Sequence, residues 1–419
     1  MSAPVILFYV IIGILIAEYI LGRILDYLNA KNMSIELPEE LKGIYNEEEY
    51  RKSQQYQRDN QKMGFMTSTF NLIIILLFLY FDGFVFVDQL ARTITSNSIL
   101  ITVVFFGVLM FAFDIINTPF AAYDTFVIEQ RYGFNTTTVN TFITDKLKGW
   151  LLSAVLGGGL LALVVWFYFA TGEMFWIYTL VLITVFSVFM TMFYTQWILP
   201  LFNKLSRLEE GELKSSIFSF SSRADFNLKD IFVMDSSKRS TKANAFFSGL
   251  GRKKKIILFD TLIDELKKNE IVSVLAHEIG HYKKKHTMAN LFLSVIQTGI
   301  TLYILSFFID SPVLSRALVA SQPSFHFGLI AFGLLYSPIS TVLGIGMNYL
   351  SRKFEYKADE FASAFGLGNY LTEALKKLSV KNLSNLTPHP VYVFVNYSHP
   401  PLLKRLKYLK ASSNQGEEL

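Results

Sequence analysis

Long apolar runs alternate with polar segments along most of this 419-residue chain. Seven of the runs contain about 20 residues, the length at which an α-helix crosses the hydrocarbon core of a bilayer. The hydropathy pattern therefore predicts a mainly α protein with seven transmembrane helices. The predicted spans are Val5–Leu21, Thr67–Val87, Ile99–Asn117, Trp150–Ala170, Phe175–Leu199, Ala289–Ile309 and Phe327–Leu350.

Positive charges divide unevenly between the segments that join these spans. Of the 39 Lys and Arg residues, 37 follow spans one, three, five and seven, and two follow spans two, four and six. Because basic residues are retained on the cytoplasmic side, this division predicts an N-terminus outside and a C-terminus in the cytoplasm. Residues 1–25 lack a basic leading region and a clear cleavage site, so we interpret them as a retained first span.

The longest polar segment lies between spans five and six. Its first part, Pro200–Ala224, has a helical pattern, and three short runs with strand character follow: Asp230–Ser237, Ala243–Phe247 and Lys255–Asp260. A small sheet of this kind could bind an extended peptide by edge addition, or it could only brace the helix that follows it. Both interpretations fit the pattern.

The run Ile271–His286 has helical periodicity and contains an H-E-x-x-H pattern. Residues four apart lie on one helical face, so His277 and His281 project in the same direction, as two ligands of one Zn²⁺ do. Glu278 would then reach a water molecule at the metal and act as general base. The apolar residues that would bury the opposite face are Ile271, Val274, Leu275 and Ile279.

A second helical stretch, Ser351–Phe365, carries Glu355 and Asp359 four residues apart. The His pair precedes span six and Glu355 follows span seven, so two antiparallel spans return the chain to the side it left. Glu355 would complete a His₂Glu set with the fourth position open for water, and Asp359 would hold the second nitrogen of a ligand imidazole. Alternatively, both carboxylates form ion pairs with basic residues of their own helix: Arg352, Lys353 and Lys357.

Composition supports a membrane protein, since 52% of residues are hydrophobic and 17% are charged, against about 25% charged in soluble domains. We interpret the net charge of +5 as a topology signal and expect no nucleic-acid partner. The chain has no cysteine, so any zinc must be held by histidine and carboxylate. His389, His399 and Arg405 near the C-terminus could stabilise an oxyanion or could be ordinary loop residues.

Several motifs together resemble the type I CAAX prenyl protease family. They are VLAHEIGHYKKKH, NAFFSGLG, KIILFDTL, SRKFEYKADEFA, NLTPHP, NYSHPPLLKRL, EQRYGFN and PLFNKLSRLEEGELK, and they cover nearly the whole chain. The resemblance implies a seven-helix transmembrane barrel with a cytosolic-side zinc protease domain that contains a small β-sheet. It also implies a large water-filled chamber inside the barrel.

The resemblance also implies roles for individual residues. Glu278 would be the catalytic base, and Asp359 would support a metal ligand. His399 and Arg405 would act near the scissile carbonyl. The Zn²⁺ ligands would be His277, His281 and Glu355. The strand that pairs with the substrate backbone would contain Asn244, Ala245 and Phe246.

The function implied is that of an integral-membrane zinc metalloendopeptidase that trims prenylated C-a-a-X proteins. The expected partners are the lipid bilayer and a peptide or protein substrate. The expected membrane is the inner membrane of a bacterium, or the endoplasmic reticulum or inner nuclear membrane of a eukaryote. The expected organisation is spans one to five in 1–199, the soluble zinc protease domain in 200–288, spans six and seven in 289–350, and helices that complete the zinc site in 351–419.

Three other functions fit parts of the pattern. A membrane-protein quality-control protease of broad specificity would use the same chemistry. A transporter with a structural zinc would explain carboxylates inside predicted spans, such as Glu18 and Asp114. A catalytically silent scaffold would bind zinc without turnover.

Overall fold

The computed structural model describes residues 1–416 except 35, 38, 40, 41, 44 and 250–254. The described residues form seventeen α-helices and four β-strands. The helices are α1 (Ala3–Asn32), α2 (Glu47–Tyr80), α3 (Gly83–Ile94), α4 (Ser98–Tyr123), α5 (Val139–Leu152), α6 (Gly158–Thr171), α7 (Phe175–Trp197), α8 (Leu199–Phe202), α9 (Glu212–Arg223), α10 (Asp260–Glu265), α11 (Lys268–Lys283), α12 (His286–Phe308), α13 (Pro312–Ala317), α14 (Phe325–Ala364), α15 (Gly368–Lys381), α16 (Pro390–Asn396) and α17 (Leu402–Gly416). The strands are β1 (Leu205–Arg207), β2 (Asp230–Met234), β3 (Ala245–Ser248) and β4 (Lys255–Phe259).

Six helical segments of the described chain are long and apolar enough to cross a membrane. They are Ala3–Asn32, Glu47–Tyr80, Ser98–Glu129, Val139–Phe202, His286–Phe308 and Phe325–Ala364. The seven predicted spans map onto these six segments, because Val139–Phe202 contains both the fourth and the fifth. Within that segment the chain turns at Gly172, where φ is 54°, and α6 and α7 pack against each other. Glycine adopts this left-handed conformation at little cost.

The second predicted span ends earlier than the hydropathy pattern indicates, so the predicted boundary at Val87 is wrong. Helix α2 stops at Tyr80, Asp82 adopts a φ of 54°, and α3 begins at Gly83. A Cβ atom at Gly83 would lie 2.5 Å from the Phe78 ring, so glycine allows this close turn. Helix α3 then packs against α4. Hydropathy alone does not distinguish a separate short helix such as α3 from the end of a span.

The four strands form one mixed sheet in the order β1-β2-β4-β3. Strand β2 runs parallel to β4, whereas β1 and β3 run antiparallel to their neighbours. The three predicted strands are confirmed. The predicted helix over Pro200–Ala224 is wrong at Leu205–Arg207, which forms β1. The Lys204 N–H donates to Asp235 Oδ1 at 2.7 Å, so a tertiary contact at the end of β2 overrides local helix propensity.

Helix α11 is buried between the sheet domain and the C-terminal end of α14. The predicted apolar face is confirmed. Its four residues, Ile271, Val274, Leu275 and Ile279, all belong to the hydrophobic core of this domain. A Cβ atom at Gly280 would lie 3.1 Å from Phe361 Cβ and 3.2 Å from the Ala358 backbone. The glycine of the H-E-x-x-H pattern therefore lets α11 approach α14 closely, which sets the distance between the histidines and the carboxylates of α14.

Helix α14 is continuous over 40 residues, about 60 Å at 1.5 Å per residue. It contains the seventh predicted span and most of the helical stretch Ser351–Phe365, without a break between them. The carboxylates of that stretch are therefore held rigidly at the end of a membrane helix.

Candidate metal centre

The two histidines of the H-E-x-x-H pattern lie one turn apart on α11, with their Nε2 atoms 3.1 Å apart. Glu355 faces them from α14. Its Oε2 is 3.4 Å from His277 Nε2, and its Oε1 is 3.3 Å from His281 Nε2. One ligand atom from each residue lies within 4.8 Å of the other two. The structure thus brings together His277, His281 and Glu355, although two membrane spans separate the histidines from the glutamate in the sequence.

This geometry fits a bound metal ion better than a set of ordinary hydrogen bonds. The Glu355 side chain is 4% exposed, and no contact of its buried Oε2 meets hydrogen-bond geometry: His277 Nε2 and Arg405 Nη1 each lie 3.4 Å away. A buried carboxylate oxygen held only by such long contacts is incompletely satisfied, and a cation between the three residues would satisfy it. Two imidazole nitrogens and one carboxylate are the ligand set of many catalytic zinc sites.

Asp359 lies on the far side of the His277 ring and is fully buried. Its Oδ1 is 2.9 Å from His277 Nδ1. Arg405 donates to the same carboxylate through Nε at 2.9 Å and Nη2 at 2.6 Å, and its Nη1 lies 3.4 Å from Glu355 Oε2. Such a carboxylate holds the Nδ1 proton of the imidazole and leaves Nε2 free for a metal.

The alternative, in which the carboxylates of α14 form ion pairs with basic residues of their own helix, does not describe Arg352 or Asp359. Arg352 donates to the backbone carbonyls of Val393 and Phe394 at 3.1 and 3.3 Å. The cation that pairs with Asp359 is Arg405, which comes from α17. This pairing joins the C-terminal helix to the metal centre.

The surroundings of His277 also set its affinity for a proton. Burial lowers the pKa of His277, but its close contacts with the carboxylates of Asp359 and Glu355 outweigh burial and raise the pKa to about 9. A metal ion that binds at Nε2 must therefore displace a proton, so we expect metal affinity to fall as the pH falls.

A cavity of about 760 Å³ opens in front of these ligands. Glu278 lines it next to His277. His399 also lines it, with a side chain that is 65% exposed and an Nε2 that lies 3.2 Å from Glu355 Oε1. Two candidates from the sequence, a base and an oxyanion donor, thus share one cavity with the ligands. His389 instead caps α16, where its Nδ1 accepts the Val391 N–H at 3.2 Å.

The edge strand β3 forms one wall of this cavity. Asn244, Ala245 and Phe246 all line it. On one side, Ala245 and Phe246 pair with Leu258 and Ile257 of β4, and β3 is the last strand of the sheet on the other side. An edge strand offers backbone donors and acceptors that an extended peptide can pair with.

The segment just before β3 is held by the EQRYGFN motif, to which the sequence assigned no chemistry. Lys242 Nζ lies 2.8 Å from Glu129 Oε2 and 2.8 Å from Tyr56 OH. On the other side, Asn382 accepts the Ala243 N–H and donates to the Ala243 carbonyl, both at 3.1 Å. These contacts connect α2 and the C-terminal end of the helical segment Ser98–Glu129 to the strand that lines the cavity.

His286, the first residue of α12, also contacts the site and was missed by the sequence reasoning. It is 4% exposed, and its Nδ1 lies 3.0 Å from Nδ1 of His281. The signal in the sequence is a third histidine five residues after the H-E-x-x-H pattern.

Comparison with known proteins gives two family matches that together cover most of the chain. Residues 26–204 match a CAAX prenyl protease N-terminal domain with five membrane helices, and residues 207–413 match peptidase family M48. The chain is 33% identical to CAAX prenyl protease 1 homolog of Arabidopsis thaliana, over 95% of this chain and 96% of that protein. It is 31% identical to CAAX prenyl protease 1 of Saccharomyces cerevisiae, over 96% and 94%.

A solved structure is similar along nearly the whole length. The crystal structure of S. mikatae Ste24p superposes with a TM-score of 0.91 at 32% identity, covering 96% of this chain and 98% of that one. The membrane helices and the sheet domain therefore share one known architecture, a membrane barrel with a protease chamber.

Proposed function

Since this chain belongs to the CAAX prenyl protease family of M48 peptidases, we propose that it cleaves prenylated proteins near a C-terminal C-a-a-X sequence. The chain is an integral-membrane metalloendopeptidase. The observation that carries the proposal is the convergence of two imidazoles and a buried carboxylate in a cavity walled by an edge strand. Relatives that are named as CAAX prenyl proteases support the substrate class.

We propose Zn²⁺ as the metal, held by His277, His281 and Glu355. The chain has no cysteine, and two nitrogens with one carboxylate oxygen suit zinc. When bound there, Zn²⁺ would supply Lewis acidity, polarising the scissile carbonyl and making a water molecule more acidic. Asp359 would keep His277 in the tautomer that presents Nε2, and Arg405 would balance the charge of Asp359.

The remaining steps belong to the protein's own side chains and backbone. Strand β3, through Asn244, Ala245 and Phe246, would pair with the substrate backbone and fix the scissile carbonyl in the cavity. Glu278 would take a proton from the attacking water and return it to the leaving amine. His399 is exposed to the cavity and lies close to the ligands, so it would donate a hydrogen bond from Nε2 to the developing oxyanion.

In this scheme Arg405 acts mainly on the carboxylates around the metal and only secondarily near the scissile carbonyl. Its Nε and Nη2 are occupied by Asp359, and only Nη1 lies toward Glu355 and the cavity. We assign Arg405 first to holding the ligand carboxylates in place, and second, through Nη1, to charge stabilisation near the carbonyl.

The proposed membrane arrangement follows from charge. With 37 of 39 Lys and Arg residues in the segments after the odd-numbered spans, the N-terminus lies outside and the C-terminus in the cytoplasm. The metal centre then lies on the cytoplasmic side, in a soluble protease domain at 200–288 completed by helices at 351–419. Residues 1–199 and 289–350 supply the spans.

A transporter with a structural zinc is less well supported. Asp114, a candidate carboxylate for a transport path, is bonded to Lys146 Nζ at 2.8 Å and to Trp150 Nε1 at 2.8 Å. The side chain is neutralised by a neighbouring helix, which is a structural use of a charge within a span.

The test is hydrolysis of a prenylated C-a-a-X peptide by purified protein, followed by mass spectrometry with and without a chelator. Glu278→Gln should keep Zn²⁺, measured by elemental analysis, and lose activity by at least ~100-fold because the proton acceptor is gone. Glu360→Gln is the matched control, since this residue is exposed on α14. Full activity of Glu278→Gln would contradict the mechanism. Equal cleavage of unprenylated peptides of unrelated sequence would favour broad-specificity quality control.

A further inference from the structure

His286 is buried although it directly follows three lysines. Lys285 adopts a left-handed φ of 59°, and this turn between α11 and α12 directs the chain back toward the metal centre. The His286 ring stacks on Phe354 with centroids 4.2 Å apart and planes 12° from parallel. Packing against Phe354 therefore holds the orientation of the His286 ring.

The rings of His286 and His281 lie 5.1 Å apart at 72° to each other, and one nitrogen of each faces the other. The two Nδ1 atoms are 3.0 Å apart, a hydrogen-bond distance. Two nitrogens can form such a bond only if one carries the proton and the other offers a lone pair. Because Nε2 of His281 lies beside Glu355 and His277 and must keep its lone pair to bind a metal, the proton belongs on Nδ1 of His281.

The two histidine ligands are thus supported in parallel ways. Asp359 accepts the Nδ1 proton of His277, and His286 stands in the same position relative to His281. Metal-bound histidines commonly donate their second N–H to such an acceptor, which fixes the tautomer and the ring orientation. The acceptor differs in charge, because Asp359 is an anion and an accepting His286 is a neutral imidazole.

We propose that His286 is a positioning residue for the metal ligand His281: it accepts the Nδ1 proton of His281 and so presents Nε2 to the metal. This inference depends on the proposed metal site. His286 is not one of the three residues whose ligand atoms converge, and its Nδ1 faces Nδ1 of His281, so it supports a ligand and is not itself one.

Two substitutions separate the hydrogen bond from the packing. His286→Phe keeps an aromatic ring against Phe354 and removes the acceptor. His286→Asn gives up the ring and keeps an acceptor, Oδ1, near the position of Nδ1. The measurements are the Zn²⁺ dissociation constant, obtained by competition with a chromophoric chelator, and the thermal midpoint of the metal-free protein.

We expect His286→Phe to weaken Zn²⁺ binding by about 10- to 100-fold, with the midpoint of the metal-free protein close to that of the wild type. His286→Asn should recover most of the affinity. Unchanged affinity in His286→Phe would overturn the proposal and leave His286 as a packing residue. Equal loss in both variants would also overturn it, since the acceptor would then not matter. Failure of the wild-type protein to bind Zn²⁺ would remove the metal site itself, a result that is distinct from either.

Discussion

Two buried histidine clusters lie near opposite ends of α14. His326, its second residue, and Glu355 are 29 positions apart in the sequence, about 44 Å along a helix. At one end Glu355 and Asp359 meet the histidines of α11. At the other end His326 meets Asp88 of α3, with Nε2 2.9 Å from Asp88 Oδ1. Each cluster pairs a buried imidazole with a carboxylate.

The polar groups around His326 satisfy one another. Its Nε2 also lies 3.1 Å from Ser324 Oγ, and its Nδ1 lies 3.4 Å from Thr102 Oγ1. Asp88 accepts further bonds from Arg92 Nε at 2.9 and 3.0 Å. The ring packs 4.5 Å from that of Phe105. The cluster joins α3, α4 and α14 and holds that end of the helices together.

The metal centre differs in what remains unsatisfied. Three ligand atoms lie within 4.8 Å of one another, Oε2 of Glu355 has only the 3.4 Å contacts with His277 and Arg405, and a cavity opens in front. A buried histidine–carboxylate pair is therefore not by itself a sign of catalysis. The sign is several ligand atoms directed at one point beside a space for substrate.

The largest effect that separates the clusters is loss of a ligand. Glu355→Gln should abolish detectable Zn²⁺ binding and peptide hydrolysis, because the third ligand and its charge are gone. His326→Gln, at the other end of the same helix, should keep both. Elemental analysis and the peptide assay provide the measurements. Zinc retained at full occupancy in Glu355→Gln would contradict the assignment of Glu355 as a metal ligand, which is what distinguishes this cluster from the one at His326.

A smaller effect is expected when the support behind a ligand is weakened. Asp359→Asn leaves His277 in place but removes the anion that holds its Nδ1 proton, so Zn²⁺ affinity should fall by about 10- to 100-fold. Chelator competition measures the change. The matched control is Asp88→Asn, which alters the other carboxylate partner of a buried histidine and should leave Zn²⁺ affinity unchanged.

The His326 cluster should affect stability alone. His326→Phe leaves Asp88 without its imidazole partner and should lower the free energy of unfolding by about 1–3 kcal/mol. Thermal unfolding of the detergent-solubilised protein tests this. If Zn²⁺ affinity also fell, the two ends of α14 would be coupled, and the prediction that the His326 cluster affects only stability would be wrong.

The smallest expected effect is a change in folding stability at acidic pH. Burial raises the pKa of Asp88, but the hydrogen bonds from His326 and Arg92 outweigh it and hold the pKa below its usual value. Because the folded pKa is lowered, the stabilisation is present above the unfolded value of about 3.9 and is lost as the pH falls through the folded pKa. The midpoint difference between wild type and Asp88→Asn should therefore be largest near neutral pH and shrink below about pH 4. A difference that is constant with pH would contradict this origin.

Much of this protein follows from its sequence alone. Helical periodicity places His277 and His281 on one face, and Glu355 and Asp359 on another, because residues four apart are neighbours on any α-helix. Hydropathy locates the spans, since a bilayer-crossing helix must be apolar along about 20 residues. Both rules are local, so they need no knowledge of distant contacts.

Other features depend on contacts between segments far apart in the chain. Arg405 pairs with Asp359, Lys242 is held by Glu129, and His286 reaches His281 because its ring packs on Phe354. The strand Leu205–Arg207 forms because it can pair with β2, against its own helical pattern. Local periodicity gives each residue a face, but only the packing of the helices decides which side chains meet, and the metal centre depends on both.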